Sequence, residues 1–250
     1  MKQNCPPKQK DETLDSFFHG RILVLQKRKG YRFSVDAALL ADFIQTKNSD
    51  RCLELGTGCG IISLLLSTKP FFQITAVEIQ ESLADLAMRN VRLNKLESRI
   101  SIIHADFLCF RPGYKFDVIF SNPPYIKMQA GQLSESSEKS IAKHELKCDI
   151  LGIMQKTEEL LKKKGRAYFI FTVKREQEFE QAVRKSRMQI KTIRFVYPHK
   201  GGQPIFFLAE CGFLGVEKKV LKPLVLFDAQ REYTLEVQEI FDGRSHAASF

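Results

Sequence analysis

No window of the 250 residues approaches eighteen consecutive apolar side chains, and the first thirteen residues, MKQNCPPKQKDET, hold no hydrophobic stretch. Neither a membrane span nor a secretory signal is expected, so the reading is a cytoplasmic protein with no membrane partner. No two cysteines stand at CxxC or CxH spacing: Cys5, Cys52, Cys59, Cys109, Cys148 and Cys211 are scattered along the chain. A metal site or a disulfide framework is therefore not expected, and the thiols read as buried or incidental in a reducing compartment. There is also no internal repeat and no low-complexity tract beyond a Pro-Pro leader. Residues 1–13 read as a flexible leader. Residues 14–250 read as a single domain with an N-terminal helical extension and, from about 213, a C-terminal tail.

What is present is apolar material and positive charge. The apolar share is 44%, including 20 Phe, enough for one large core. Lys plus Arg number 39 against 29 Asp plus Glu, a net charge of +10 that suggests a polyanionic partner. The basic residues gather at 21–32, 162–166 and 184–194; each run is either a solvated face or a set of phosphate contacts.

From residue 51 the pattern is rhythmic. The strand-like runs RCLEL (51–55), ITAVE (74–78), ISIIH (100–104), FDVIFS (116–121) and RAYFIFTV (166–173) alternate with helical stretches such as ESLADLAMRNVRL and DILGIMQKTEELLKK. Such alternation predicts right-handed βαβ crossovers and a doubly wound, mainly parallel sheet. IKTIRFVYP (190–198) and PIFFLAECG (204–212) follow with only HKGGQ between them, which predicts an antiparallel hairpin. The expected fold is α/β and Rossmann-like, with a seven-stranded sheet ending in that hairpin. Upstream, 14–32 read as irregular structure with one short strand, and SVDAALLADFI opens a helix at Ser34 or Asp36.

LELGTGCG (53–60) places Gly56, Gly58 and Gly60 on a strand-to-helix turn, where glycine lets the backbone approach a ligand. Glu54, just ahead of the turn, joins the candidate cofactor-binding set. Glu78, twenty residues past Gly58, ends the next strand and can accept both hydroxyls of a ribose. A dinucleotide fingerprint would need glycine at 61, where this chain has Ile61, so NAD is disfavoured and another nucleoside-containing cofactor is expected. Asp106 follows the strand ISIIH. It can either accept from an adenine amine, with Phe107 or a neighbour covering the ring, or cap a turn.

At the end of FDVIFSNPPY stand Asn122, Pro123, Pro124 and Tyr125. Here the chain resembles the class I S-adenosylmethionine-dependent methyltransferases that carry Asn-Pro-Pro-Tyr. The chemistry suits these residue types. A conjugated amine is a poor nucleophile; the Asn122 side-chain oxygen and the Pro123 carbonyl can each accept one of its N–H groups and turn its lone pair toward the sulfonium methyl. The two prolines stiffen the acceptors, and Tyr125 offers a ring for stacking. GYRFSVDAALLADF (30–43), LELGTGCGIISLLL (53–66), VEIQ (77–80), AKHE (142–145) and EYTLEV (232–237) extend the likeness to the tRNA1(Val) adenine N6-methyltransferase family. The resemblance implies S-adenosylmethionine as cofactor, tRNA as partner, adenine 37 beside the anticodon as target, no metal, and a cofactor pocket closed by Phe33 and Asp36.

The same four residues also suit a protein glutamine N5-methyltransferase, since a carboxamide presents an equally reluctant amine. The net charge and the lack of an extra N-terminal helical domain count against that alternative. His144 and Glu145 follow a long loop, 126–143, that reads as a candidate substrate lid. They could serve as an acid and base pair, but such a pair more often caps the next helix, and they are left outside the catalytic set.

Overall fold

The computed structural model describes residues 8–29, 34–123, 150–214 and 217–244. Two short strands open it, β1 (Glu12–Phe17) and β2 (Ile22–Lys27), paired antiparallel. The helix α1 (Val35–Phe43) comes next. The alternation then runs β3 (Arg51–Leu55), α2 (Ile61–Leu66), β4 (Gln73–Glu78), α3 (Glu81–Leu93), β5 (Ile100–His104) and β6 (Phe116–Ser121). Beyond residue 149 lie α4 (Ile150–Leu160), β7 (Leu161–Thr172), α5 (Glu176–Arg184), β8 (Gln189–His199) and β9 (Phe206–Gly212). The described chain closes with β10 (Lys219–Val220), β11 (Leu224–Phe227) and α6 (Leu235–Phe241).

Strands β3 to β7 pair in parallel, in the order β7-β6-β3-β4-β5, so their carboxyl ends share one edge. Their near-continuous apolar runs follow from that arrangement, because a parallel sheet is covered on both faces. On one face α1, α2, α3 and α6 share a core with β2; on the other, α4 and α5 pack with Phe107 and the Phe169, Phe171, Phe179 and Phe207 rings. Strand β9 runs antiparallel between β7 and β8, the expected hairpin. Among the described residues no helix is long and apolar enough to cross a membrane.

Four expectations need correction. The sheet has nine strands among the described residues rather than seven, because β10 and β11 run parallel to β8 and cover an edge it would otherwise leave unpaired. The stretch expected to be irregular is the β1–β2 hairpin, so α1 is the only helix in the described part of the N-terminal extension. The leader boundary at 13 falls inside β1, and residues 1–7 lie outside the described residues. Finally, α4 stops at Leu160, and Lys162, Lys163 and Lys164 belong to β7 rather than to a helix face.

The hairpin is held by two side chains far away in sequence. Asn90 on α3 and Asn94, one turn later at the helix's C-cap, treat β2 as a sheet neighbour would. Leu25 N–H donates to Asn90 Oδ1 (2.7 Å) while Asn90 Nδ2 donates to Leu25 O (3.0 Å). Leu23 repeats the exchange with Asn94 at 2.9 and 2.7 Å. Arg89 completes the clamp with a pair of bonds to the buried Glu12 (2.7 and 2.8 Å), and this guanidinium holds the Glu12 carboxyl down to about 2.

Candidate active site

Every βα turn in the parallel part of the sheet ends at the carboxyl edge, and three of them build the site. The first follows β3. Gly56 and Thr57 N–H both donate to Val77 O at the end of β4 (2.9 and 3.1 Å), which folds the turn back over the sheet. Gly56, Gly58 and Gly60 all have positive φ (73°, 58° and 86°), a region costly for other residues. A Cβ built on Gly56 meets nothing within 4 Å, so the space beside the turn is open.

Two carboxylates hold this turn, Glu78 and Glu54, and a third, Asp106, follows β5 and takes the turn-capping role that was one of its two expected ones. Glu78 Oε2 accepts from Gly58 N–H at 2.8 Å and Oε1 from Gln80 N–H at 2.9 Å, so the acid expected to bind a ribose also braces the glycine turn. A carboxylate oxygen has more than one lone pair, and both of these roles fit it. Glu54 is 1% exposed; its Oε2 accepts from Thr57 Oγ1 (2.7 Å) and from Ser63 Oγ at the start of α2. Burial pushes its carboxyl up to about 7, against the lowering pull of the two hydroxyls. Glu54 therefore acts on the turn from beneath. Asp106 Oδ1 accepts from Leu108 N–H (2.8 Å), capping the 3-10 turn Phe107–Cys109. That turn sends Phe107 inward, 8% exposed, into the core with Leu55 and Val77.

The last of the three turns follows β6, after the one that carries Asp106 behind β5. Ser121 Oγ donates to Leu55 O (2.7 Å), registering the end of β6 against the end of β3, and Asn122 comes directly after it. Asn122 Nδ2 donates to Asp36 Oδ2 at 3.0 Å. Asp36, 4% exposed in the first turn of α1, is itself fixed through Oδ1, which accepts from Ser34 Oγ (2.5 Å) and Ala37 N–H (2.9 Å). An ionised carboxylate only accepts, so the end of the amide that faces Asp36 must be the NH2, and Oδ1 is the end turned away. Asp36 was expected to close a cofactor pocket; the contact observed orients Asn122. Pro123 is buried beside it. Phe33, Pro124, Tyr125, the loop 126–143, His144 and Glu145 lie outside the described residues.

One residue of the site carried no signal in the sequence. Asn90 Nδ2 also donates to Cys59 O (2.8 Å), so one fully buried amide joins β2 to the glycine turn. Nothing local marks it; only its partners, 31 and 65 residues away, give it a role.

The basic runs separate once the strand directions are known. Residues 162–166 begin β7 and residues 184–191 join α5 to β8, which places both at the amino edge, opposite Asn122. Much of that charge is paired internally: Arg166 with Asp50 (2.7 Å), Lys162 with Asp117 (2.8 Å) and Arg187 with Glu158. Burial pushes the Asp117 carboxyl up, but Lys162, the Arg51 N–H and Arg166 outweigh it and hold it below the usual range. Arg194, 5% exposed, bonds Lys222 O (3.0 Å) and Glu236 (2.5 Å), fastening the C-terminal segment to β8.

The model of the methyltransferase small domain matches residues 31–196, more than half of the chain. The chain belongs to that family. The match contains the glycine turn, Glu78, Asp106, Asp36 and Asn122; the β1–β2 hairpin and the segment from β9 onward lie outside it. The tRNA1(Val) (adenine(37)-N6)-methyltransferase of Bacteroides thetaiotaomicron is 28% identical over 212 residues, 84% of this chain and 88% of the relative. The protein of the same name from Vibrio campbellii is 28% identical over 151 residues, 60% of this chain and 62% of the relative, so here less than two thirds of the relative is spanned. Among solved structures, a predicted O-methyltransferase from Agrobacterium tumefaciens has a TM-score of 0.65 over 84% of this chain and 97% of that one. Its 18% identity makes this a likeness of fold.

Proposed function

We propose that this methyltransferase uses S-adenosylmethionine to methylate the exocyclic N6 of an adenine in tRNA, at position 37 of tRNA1(Val), in the cytoplasm. The observation that carries the reading is the Asp36–Asn122 hydrogen bond, because it fixes which end of the amide faces the acceptor Asp36. An amide whose oxygen is turned from Asp36 is suited to accept from an amine; the flipped amide would repel it. The two relatives bearing that activity in their names support the choice of substrate.

The cofactor's part is to supply a methyl group on a cationic sulfur. The residues present fit it: the open space at Gly56 and the buried Glu78 carboxylate suit a nucleoside with a ribose, and Asp106 keeps a second oxygen for an adenine amine. Asn122 Oδ1 and the Pro123 carbonyl would accept the two N–H groups of the target amine, directing its lone pair to the methyl. From the sequence, Tyr125 supplies the ring that stacks the flipped base, and Pro124 restricts the backbone before it. The proton leaves after the new C–N bond forms, so no strong base is required.

Single-turnover reactions with labelled cofactor and unmodified tRNA, followed by digestion to nucleosides, test the reading. Label is expected on N6-methyladenosine. Label on a ring nitrogen or a ribose would overturn the reaction, and label on a glutamine of a protein would install the competing one.

A further inference from the structure

Strand β8 is antiparallel to β9, which is antiparallel to β7, so β8 points the same way as β6 and β7; β11, parallel to β8, does too. The carboxyl ends of β8 and β11 therefore lie on the same edge as Asn122. Between the turn after β8 and the turn after β11 is a cavity of about 1010 Å³, and all of its lining lies beyond residue 196, outside the span matched by the family. Its lining pairs an apolar floor, which includes Val225 and Phe227, with the cations Lys200 and Arg231 and the imidazole of His199.

These groups are held for presentation and are not consumed by internal pairs. Lys200, Arg231 and His199 are exposed, and among the described residues no ion pair engages them. The carboxylate on the lining, Asp228, turns its Oδ1 to Gln230 N–H (2.9 Å) and Glu232 N–H (3.0 Å) of its own turn. That turn sets Arg231 at φ 65°, a conformation rare for a side-chain-bearing residue. Across the cavity, a Cβ on Gly202 would stand 2.4 Å from His199 Nδ1, so glycine is what lets the imidazole lie against the β8–β9 turn. Cations above an apolar floor suit a strand of nucleic acid, whose phosphates need charge and whose sugars and bases need contact surface.

We infer that the substrate RNA lies along the carboxyl edge from Asn122 toward β11, and that this groove holds its backbone at a second point, with Lys200 and Arg231 on phosphates. The inference rests on the tRNA reading above. Three strand spacings separate β6 from β8 and a fourth reaches β11, about 15–20 Å in all, a distance an RNA hairpin covers. The more strongly basic amino edge is on the wrong side of the sheet to touch an RNA whose base is at Asn122.

The test is binding of unmodified tRNA over a series of salt concentrations by wild type, by a K200E/R231G double variant and by K163E/K164E at the amino edge. Glycine at 231 removes the cation while tolerating the positive φ. K200E/R231G is expected to bind at least tenfold more weakly, with the log–log salt slope shallower by about 1.5, as two lost phosphate contacts require. Its S-adenosylmethionine affinity, read by calorimetry, should equal that of wild type, which also reports that it is folded. K163E/K164E should bind tRNA as wild type does. Wild-type affinity and slope in K200E/R231G, or a loss confined to K163E/K164E, would overturn the inference and leave the methylation reading standing. If wild-type protein shows no salt-dependent affinity for tRNA, the tRNA reading fails and this surface fails with it.

Discussion

The two edges of one sheet use the same residue types for opposite ends. At the amino edge carboxylates and cations neutralise one another: Asp50 with Arg166, Asp117 with Lys162, Glu158 with Arg187. At the carboxyl edge carboxylates hold backbone and side-chain amides: Glu78 the Gly58 N–H, Asp106 the Leu108 N–H, Asp36 the Asn122 side chain. The difference is one of role. An ion pair satisfies both partners and secures the fold, whereas a carboxylate that holds an amide sets the position of the segment that carries it. Net charge alone conceals this division, since both edges contribute to it.

The sharpest break in the comparison is Asn122→Ala. It should lower single-turnover methyl transfer by ~10²-fold or more, the scale of one lost preorganised contact, with cofactor affinity nearly unchanged. A wild-type rate would remove Asn122 from the chemistry. Asp36→Ala, which frees the amide to rotate, should reproduce a smaller part of that loss, about tenfold.

Next in size is the other edge. Asp50→Ala leaves the half-buried Arg166 guanidinium without its partner and should destabilise the fold by about 3 kcal/mol, measured by denaturant unfolding, with the methyl-transfer rate of the folded fraction preserved. A rate defect there would show that the two edges are not separable.

Glu78→Ala removes the brace on Gly58 and the acceptor proposed for the ribose. Cofactor affinity should fall about tenfold or more, ~1.5 to 3 kcal/mol, by calorimetry. Unchanged affinity in a folded variant would assign the cofactor to other groups.

The smallest change at neutral pH is expected for Glu54→Gln, which keeps the shape beneath the turn. Because burial raises the folded carboxyl to about 7 from an ordinary value near 4.5, the folded state holds a proton the unfolded chain has released. The associated stability is present in full below about pH 4.5 and is lost as pH rises to about 7. Thermal unfolding across that window should show a slope in wild type that Glu54→Gln flattens; identical slopes would place the ionised form in the core.

Much of the parallel sheet was legible because each strand is short, apolar and punctuated by a helix with its own period. Asn122 and the glycine turn were legible for the related reason that they sit where such strands end. What the sequence withheld were long-range partners. The β1–β2 hairpin has little local signature, since β1 is mostly polar and β2 is held in place by Asn90 and Asn94, more than sixty residues away. Asp36 and Asn122 are 86 residues apart, and neither hints at the other. The basic runs were visible as runs, but their function depends on which end of a strand they occupy, and that follows only from topology.

The Asn90 amide has a further consequence. Because it spans Leu25 and Cys59, motion of the glycine turn and opening of the first hairpin draw on the same pair of N–H groups. Deuterium uptake at Leu25 is then a remote gauge of whether the turn has closed on a ligand, and a cut between the two strands of the first hairpin, though more than thirty residues from the turn at Gly56 to Gly60, is expected to loosen the cradle itself.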